Sequence, residues 1–402
     1  MLRFLTAGES HGKALVAILE GMPAGLPVDF DAITAQLRRR QGGYGRGRRM
    51  AIESDRAEAL SGVRHGTTTG APIALMIPNK DWENWQKTMH VEPVPPADAT
   101  GSDRPVVTRP RPGHADLAGV VKYGHDDIRT VLERASARET AARVAIGALS
   151  RQLLASAGAE IASHVFSIGA VALPDPLAVT FEEAHTISED SPLHCVDAGL
   201  EKAMIAEIDR AREAGDTMGG AFEVIVRGVP PGLGSYVQWD RKLDGRLAQA
   251  LMSIPAIKAV GIGRGPGVAS LPGSRIHDEI LPRAGARPAS GVHVTRPTNN
   301  AGGLEGGVTN GEDLRVSIYM KPIATLMKPL RSIDLTTMEE SPAAIERSDV
   351  CAVPAAAVVA EAMVAFVLAD ALVEKFGGDS VEELQANWKA FRERTSARFA
   401  KS

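Results

Sequence analysis

The chain has 402 residues, with 45 Lys and Arg against 49 Asp and Glu, a net charge of −4 and 4% aromatics; this balance argues against a general nucleic-acid partner, so local basic clusters must serve particular anions. Two distant cysteines, Cys195 and Cys351, with no CxxC pair fit a reducing compartment, exclude a cysteine-built zinc site and leave no metal to expect. The start MLRFLTAGESHG has no secretory apolar core and no run of about eighteen apolar residues stands out, so the expectation is a cytoplasmic protein without a membrane partner.

The first predicted elements are a short strand to Thr6, a Gly-bounded turn Gly8-Glu9-Ser10-His11-Gly12, and a strand ALVAILEG running into Gly21-Met22-Pro23-Ala24-Gly25-Leu26. Neighbouring side chains in a turn diverge and no G-x-S-x-G elbow exists, so Ser10 and His11 do not read as nucleophile and base. His11 reads either as a lone acid or base or as a turn histidine satisfied by backbone groups. A helix is predicted over 31–40. It leads into RRRQGGYGRGRRM, where Arg38, Arg39, Arg40, Arg46, Arg48 and Arg49 are interleaved with glycines. A solvated segment, an RGG-like RNA binder and a lid over a multiply charged small molecule compete there. The lid is favoured because guanidinium forks match carboxylates and phosphates bidentately.

Ala14 to Leu26 (ALVAILEGMPAGL) matches Ala221 to Leu233 (AFEVIVRGVPPGL), both ending in G-x-P-x-G-L. In the same order, Gly62-Val-Arg-His-Gly66 before the strand PIALMIP pairs with Gly307-Val-Thr-Asn-Gly311 before LRVSIYMKP, with a shorter gap in the second copy. Length alone gives a prior of two or three domains. The repeat instead predicts an α+β fold in a single domain, 1–402. Two pseudo-repeated sheet/helix halves, a β-α-β sandwich with long functional loops, would cover about 1–90 and 217–330, joined by a central helical region.

Val91 to Pro105 is Pro-rich and polar, a surface excursion. The densest chemistry follows, from Arg109 to Leu154. Arg109-Pro-Arg111-Pro-Gly-His114 cannot be helical, because each proline biases the residue before it toward extended backbone. A stiff loop thus presents two arginines and a histidine, with His125 further on. Ser136-Ala-Arg138-Glu139 has capping-box spacing ahead of an apolar run to about Ala157, which predicts a helix whose N-terminus, flanked by Arg134 and Arg138, forms an anion site.

Further helices are predicted over 199–215 and 244–252, then a strand over 257–263 entering Gly263-Arg-Gly-Pro-Gly267. Thr298 to Gly311 is too glycine-rich for a regular helix and opens its backbone to a close ligand. Neither a phosphate loop of the G-x-x-x-x-G-K-[ST] type nor a G-x-G-x-x-G between strand and helix is present, so a P-loop or Rossmann site is not supported. Arg347-Ser-Asp349-Val-Cys351 precedes an Ala/Val-rich helix over about 354–376 with a lone Glu361; Asp349 at its entrance reads as a cap or as a proton acceptor.

Gly8-Glu-Ser-His-Gly12 with the next strand and Gly21, Glu133-Arg-Ala-Ser-Ala-Arg-Glu-Thr140, and Arg347-Ser-Asp-Val-Cys351 through Glu361-Ala-Met363 resemble the three signature blocks of the chorismate synthase family. RRRQGGYGRG, RPRPGHAD, TNNAGGLEGG and MKPIAT resemble its other segments in the same order, so the resemblance spans nearly the whole chain. It implies a flavoprotein lyase, typically a homotetramer, that converts 5-enolpyruvylshikimate 3-phosphate to chorismate in the shikimate pathway to aromatic amino acids. Reduced FMN would be required, supplied by an external flavin reductant, with NADP(H) and FAD as associated nucleotides. The reaction is a 1,4-anti elimination in which phosphate leaves C3 and a proton leaves C6 without net redox change.

Carried onto this sequence, the resemblance makes His11 the acid for the departing phosphate. It makes His114 the group that protonates or neutralises the flavin near N1, and Asp349 the carboxylate that helps the N5 proton move. Arg40 and Arg46 fall at the position for NADP(H) or substrate anions, and Arg48, Arg111, Arg134, Arg138 and Ser10 would meet the substrate. FMN would meet Arg134, Ala135, Ser136, Pro255, Ala256, Gly306, Lys321, Pro322, Ile323, Ala324, Thr325 and Arg347. Pro255 is a departure, removing a backbone N–H where some relatives carry a polar residue. Two other readings stay open: an NADPH-dependent flavin reductase on an anionic substrate, distinguished by reductant consumption, and an RNA binder acting through the Arg/Gly loop, distinguished by salt-dependent RNA affinity.

Overall fold

In the computed structural model, which describes residues 1–47, 54–93, 104–283, 291–346 and 348–399, the apolar alternation near the N-terminus becomes a sheet with one buried face. It contains β1 (Arg3–Ala7), β2 (Ala14–Glu20), β3 (Glu58–Ala59) and, past the hairpin of β4 (Val63–Arg64) and β5 (Thr67–Thr68), β6 (Ile73–Pro78), in the order β1-β2-β6-β3 with antiparallel neighbours. Leu15, Ala17 and Leu19 of β2 and Ile73, Leu75 and Ile77 of β6 point inward at period two. Between β2 and β3, α1 (Phe30–Gln41) is capped by Asp29, which accepts from the N–H groups of Asp31 and Ala32.

The middle of the chain is helical: α2 (Asp116–Tyr123), α3 (Arg129–Ala135) and α4 (Thr140–Ser156). A second sheet follows, from β7 (Glu160–Ile168), β8 (Val171–Ala172), β9 (Gly220–Arg227) and β10 (Ile257–Ile262), interrupted by α5 (Phe181–His185), α6 (Ala198–Glu213) and α7 (Leu243–Met252). Two short pairs, β11 (Leu281–Pro282) with β12 (Val294–Thr295) and β13 (Leu304–Glu305) with β14 (Val308–Thr309), precede β15 (Leu314–Met320), and the sheet order is β10-β15-β9-β7-β8. The hairpin of β16 (Arg331–Ile333) and β17 (Glu340–Pro342) leads to α8 (Val353–Phe376) and α9 (Val381–Phe399).

Helix α4 packs on β1, β2 and β6, helix α8 packs on β7 and β9, and the two helices pack on each other, giving a sheet–helix–sheet order. Close approach depends on Gly147, where a Cβ would stand 2.2 Å from that of Ala362. Helix α8 is apolar all round because protein surrounds it. The expectation of no long apolar stretch is corrected here. Glu361 and Asp370 interrupt a strict run, yet a window of α8 reaches a mean hydropathy of 2.2, long and apolar enough for a membrane crossing, and 89% of that window is buried inside the protein.

The turns after β2 and β9 make matching hydrogen bonds. Gly25 N–H donates to Thr68 O and Leu26 N–H to Thr68 Oγ1, each at 2.9 Å, while Thr68 Oγ1 donates to Pro23 O at 2.6 Å. Gly232 N–H donates to Thr309 O and Leu233 N–H to Thr309 Oγ1, each at 2.8 Å, while Thr309 Oγ1 donates to Pro230 O at 2.7 Å. Thr69 N–H reaches Gly62 O and Asn310 N–H reaches Gly303 O, both at 3.0 Å. Gly62 therefore corresponds to Gly303, not to Gly307 as the sequence pairing had it. In the corrected register the shorter gap disappears, since β6 follows Thr68 at the same spacing (68 to 73) as β15 follows Thr309 (309 to 314).

Candidate active site

The turn at 8–12 is pinned from two sides. Gly8 has φ +101, and a Cβ there would meet Ala14 O at 2.3 Å, so only glycine admits the turn this close to β2. Asn79, at the end of β6, donates through Nδ2 to Glu9 O (3.1 Å) and Gly12 O (2.7 Å). From α3, Glu133 O accepts from Ser10 N–H at 3.0 Å, and the buried Glu133 carboxylate accepts from His11 N–H at 2.8 Å. The same carboxylate lies 2.8 and 2.9 Å from His11 Nδ1. The imidazole stacks on Trp85 at 3.7 Å between centroids, and Arg104 covers the Trp85 ring at 3.7 Å. Of the two readings open for His11, satisfaction by backbone groups is thus not what holds the ring: a carboxylate and an indole do.

Beside this turn the expected helix start takes a different form. Ser136 accepts from Arg138 N–H at 3.3 Å and donates to Ser10 Oγ at 3.2 Å, while Glu139 turns to Arg143 at 3.0 Å. The capping box does not form, because residues 137–139 make a tighter 3₁₀ turn and Glu139 has a cation one helical turn ahead. Nor do Arg134 and Arg138 flank an open helix end. Arg138 is buried, donating to Asp55 at 2.6 Å and to Asn79 Oδ1 at 3.0 Å. Arg134 is exposed and donates to Thr6 O (3.0 Å) and Gly8 O (3.1 Å).

Arg38, Arg39 and Arg40 are the last turn of α1 rather than part of a loop. Arg39 grips Glu361 with both guanidinium nitrogens at 2.7 and 2.8 Å. Arg40, 4% exposed, donates to Thr140 Oγ1 and Ala137 O at 2.9 Å and lies 3.8 Å from Asp55. Arg46 bridges to Asp349 at 2.7 Å, and the other oxygen of Asp349 accepts from Gly47 N–H at 2.6 Å. Asp349 therefore clamps the 45–47 segment instead of capping α8, whose N-cap is Ala352 without a side-chain bond. Arg48, Arg49 and Arg347 lie outside the described residues, as does most of the 91–105 excursion.

The second histidine also rests on a buried carboxylate. Asp116, at the start of α2, lies 2.5 Å from His114 Nδ1 and accepts from Arg111 Nε at 2.8 Å. Arg111 further donates to Thr325 Oγ1 at 2.9 Å, so its fork orients this cluster rather than standing open to a ligand. Burial pushes the Asp116 carboxyl up, but the hydrogen bonds from His114 and Arg111 and the Arg111 charge outweigh it and hold the group well below the usual carboxylate range. Lys321 donates to Gly113 O at 2.7 Å; burial, and then the neighbouring Lys258, pull its ammonium pKa down.

Several of these pieces are joined by hydrogen bonds. Lys321 N–H donates to Ala256 O at 3.0 Å, and Ala256 holds φ +67, a strained value for a residue with a side chain. Its neighbour Pro255 lines a cavity of about 250 Å³ with Arg134, Ala135, Glu139 and Arg143. Thr217 Oγ1 donates to Ile323 O at 2.7 Å and Met218 N–H to Val350 O at 2.8 Å, which ties the 321–325 segment to the strand of chain holding Asp349. Two groupings result. The first has Ser10, His11, Arg40, Ser136 and Arg138 around Glu133 and Asp55, with Arg134 and Ala135 facing Pro255 across the cavity. The second has Ala256, Lys321, Pro322, Ile323, Ala324, Thr325, Arg111 and His114, from which Thr217 and Met218 lead to Arg46 and Asp349. Gly306 stands apart in the β13–β14 hairpin, where a Cβ would face Tyr236 at 3.9 Å, and His125 stacks on Tyr123 at the end of α2. The sequence reading assigned no role to Glu133, Trp85, Asp116, Asp55 or Asn79. Only Trp85 carried a compositional signal, as one of 4 tryptophans.

A family model described as chorismate synthase matches residues 2–373. A chorismate synthase of Moorella thermoacetica is 58% identical over 98% of this chain and 99% of its own length, and one of Desulforudis audaxviator is 57% identical over 99% of each. A solved crystal structure of a chorismate synthase superposes with a TM-score of 0.78 at 42% identity, covering 98% of both chains. Similarity at this level along the whole length means that the chain belongs to the chorismate synthase family and is a carbon–oxygen lyase.

Proposed function

We propose that the chain eliminates phosphate from 5-enolpyruvylshikimate 3-phosphate to give chorismate at the region joining the 8–12 turn, α3 and the 321–325 segment. The observation that carries this reading is the pairing of His11 with Glu133 and of His114 with Asp116, each carboxylate also beside an arginine, Arg129 or Arg111. Arg134 and Arg143 bring positive charge, beside Glu139, and Ala135 and Pro255 bring apolar surface to one cavity, while Lys321 is joined to Ala256 by a backbone hydrogen bond. The donor set of that cavity suits part of a flavin nucleotide. Arg134, Ala135, Ser136, Pro255, Ala256 and Lys321 to Thr325 would hold it. Reduced FMN bound there would supply electron density for departure of the C3 oxygen without net oxidation of the substrate.

The chain's own residues bind, shield and move protons. His11 delivers a proton to the departing phosphate oxygen, and His114 places an imidazole where charge needs balancing. Arg40, Arg46 and Arg138 supply the positive field for the substrate's phosphate and carboxylates or for NADP(H), and Ser10 a hydroxyl. Asp349 positions Arg46 and stands ready to accept a proton. In this reading the protein is cytoplasmic and a homotetramer, its flavin is reduced from outside, and the two sheets with matching turns are pseudo-repeated halves of a single domain.

An anaerobic assay tests the reaction. One charge of dithionite-reduced FMN should support many phosphate and chorismate molecules per flavin, and oxidised FMN none. Stoichiometric consumption of reductant per product would instead make the chain a reductase.

A further inference from the structure

We infer that Glu133 is the positioning residue that fixes the tautomer of His11, holding a proton on Nδ1 so that Nε2 is the nitrogen that exchanges protons with the substrate. The inference rests on the reading of His11 as the acid for the departing phosphate. Both Glu133 oxygens lie within 2.9 Å of Nδ1, and one of them also takes the His11 backbone N–H at 2.8 Å. A carboxylate only accepts, so Nδ1 must be the donor. Arg129, one turn earlier on α3, stands 3.8 Å from the same carboxylate and favours its charge. Trp85 stacked on the ring leaves rotation about the last side-chain bond little room. Glu133 thus sets both the orientation and the proton inventory of the ring, 122 residues away in sequence.

The geometry also says what an isosteric amide would do. In Glu133→Gln a single oxygen must serve the backbone N–H of His11, which leaves the amide NH₂ facing Nδ1. The NH₂ then opposes an Nδ1 proton and the oxygen 2.9 Å from Nδ1 is already shared with the backbone N–H, so the neutral ring shifts toward carrying its proton on Nε2 and accepting at Nδ1. The imidazolium, with both nitrogens protonated, is then opposed by the amide. To act as the acid the wild-type ring must carry protons on both nitrogens. The Nε2 proton passes to the phosphate oxygen as the C3–O bond breaks, and the Nδ1 proton stays on Glu133's side. The variant weakens the first state and shifts the second toward Nε2–H.

The test combines spectra and turnover on the full chain with reduced FMN. Histidine labelled with ¹⁵N, with the His11 signals assigned by their loss in His11→Asn, reports the tautomer by solid-state NMR. Expected for the neutral ring are Nδ1–H in the wild type and a shift toward Nε2–H in Glu133→Gln, with FMN affinity held and kcat lowered about 10²-fold or more. A neutral wild-type ring with its proton on Nε2 overturns the inference without recourse to any variant, and so does a Glu133→Gln ring whose tautomer is unchanged from that of the wild type. An inverted tautomer with kcat within about threefold of wild type overturns His11 as the proton donor. If the wild type releases no phosphate from the enolpyruvyl substrate, the reaction assignment fails while the spectra still decide the role of Glu133.

Discussion

Buried carboxylates, more than free arginines, organise the site at the scale of single residues. Asp116 is held ionised by Arg111 and His114, so its replacement leaves a cation without its counter-charge in a buried place. Asp116→Asn should therefore cost about 3 kcal/mol of folding stability, the usual penalty for removing one partner of a buried pair. Urea unfolding reads it directly, and a loss under about 0.5 kcal/mol would mean that Arg111 has another outlet. His114→Ala removes the half-exposed member of the same cluster and should spare stability. It should lower kcat by about 10²–10⁴-fold while flavin affinity holds, the contribution of a positioned acid or base. Equal losses of rate and flavin affinity would reduce His114 to a structural group.

Among the elements, the contact of α4 with α8 decides whether the two sheets meet. Replacing a helical glycine by alanine normally gains up to about 1 kcal/mol through propensity. At Gly147 an added Cβ would fall 2.2 Å from Ala362 Cβ and 2.4 Å from its Cα, and neither atom can rotate away. Overpacking of about 1–3 kcal/mol should win, so Gly147→Ala should lower the unfolding midpoint. A raised midpoint would show that α4 and α8 part without cost. The loop at Arg109 to His114 and the β6 strand were legible in sequence because proline geometry and a short apolar run are local signals. The start of α4 was misread because Glu139 chose Arg143 over the Ser136 backbone, a competition that spacing alone does not rank.

For the molecule as a whole, Glu361 is the electrostatic joint. It accepts from Arg39 of α1, Arg151 of α4 at 2.8 Å and Ser163 of β7 at 2.6 Å, so one carboxylate of α8 ties the middle layer to the second sheet. Burial pushes its carboxyl up, but Arg39, then Arg151 and Ser163, outweigh this and hold it well below the ordinary range. A depressed folded value contributes stability that is present above the unfolded value, about 4.3, and lost as pH falls through the folded one. Glu361→Gln should cost about 3 kcal/mol near pH 7, and the gap between wild type and variant should narrow below about pH 4. Chemical denaturation at a series of pH values checks this; a gap independent of pH would place the stabilisation elsewhere.

The sequence by itself determined the family and several of the strands and helices, among them β2, β6, α1, α7 and α8. Those are carried by local motifs, whose glycine, proline and histidine spacings survive without knowledge of the fold. It could not tell which arginines face a ligand. Arg39, Arg40, Arg111 and Arg138 look alike in a list of cations, yet each is held by Glu361, Thr140, Asp116 or Asp55, partners at sequence distances that no window spans. Glu133 beneath His11 and the corrected register of the second hairpin were likewise decided only by tertiary structure. A buried charge or an unpaired N–H takes the partner that packing brings within 3 Å, and packing is a property of the whole chain.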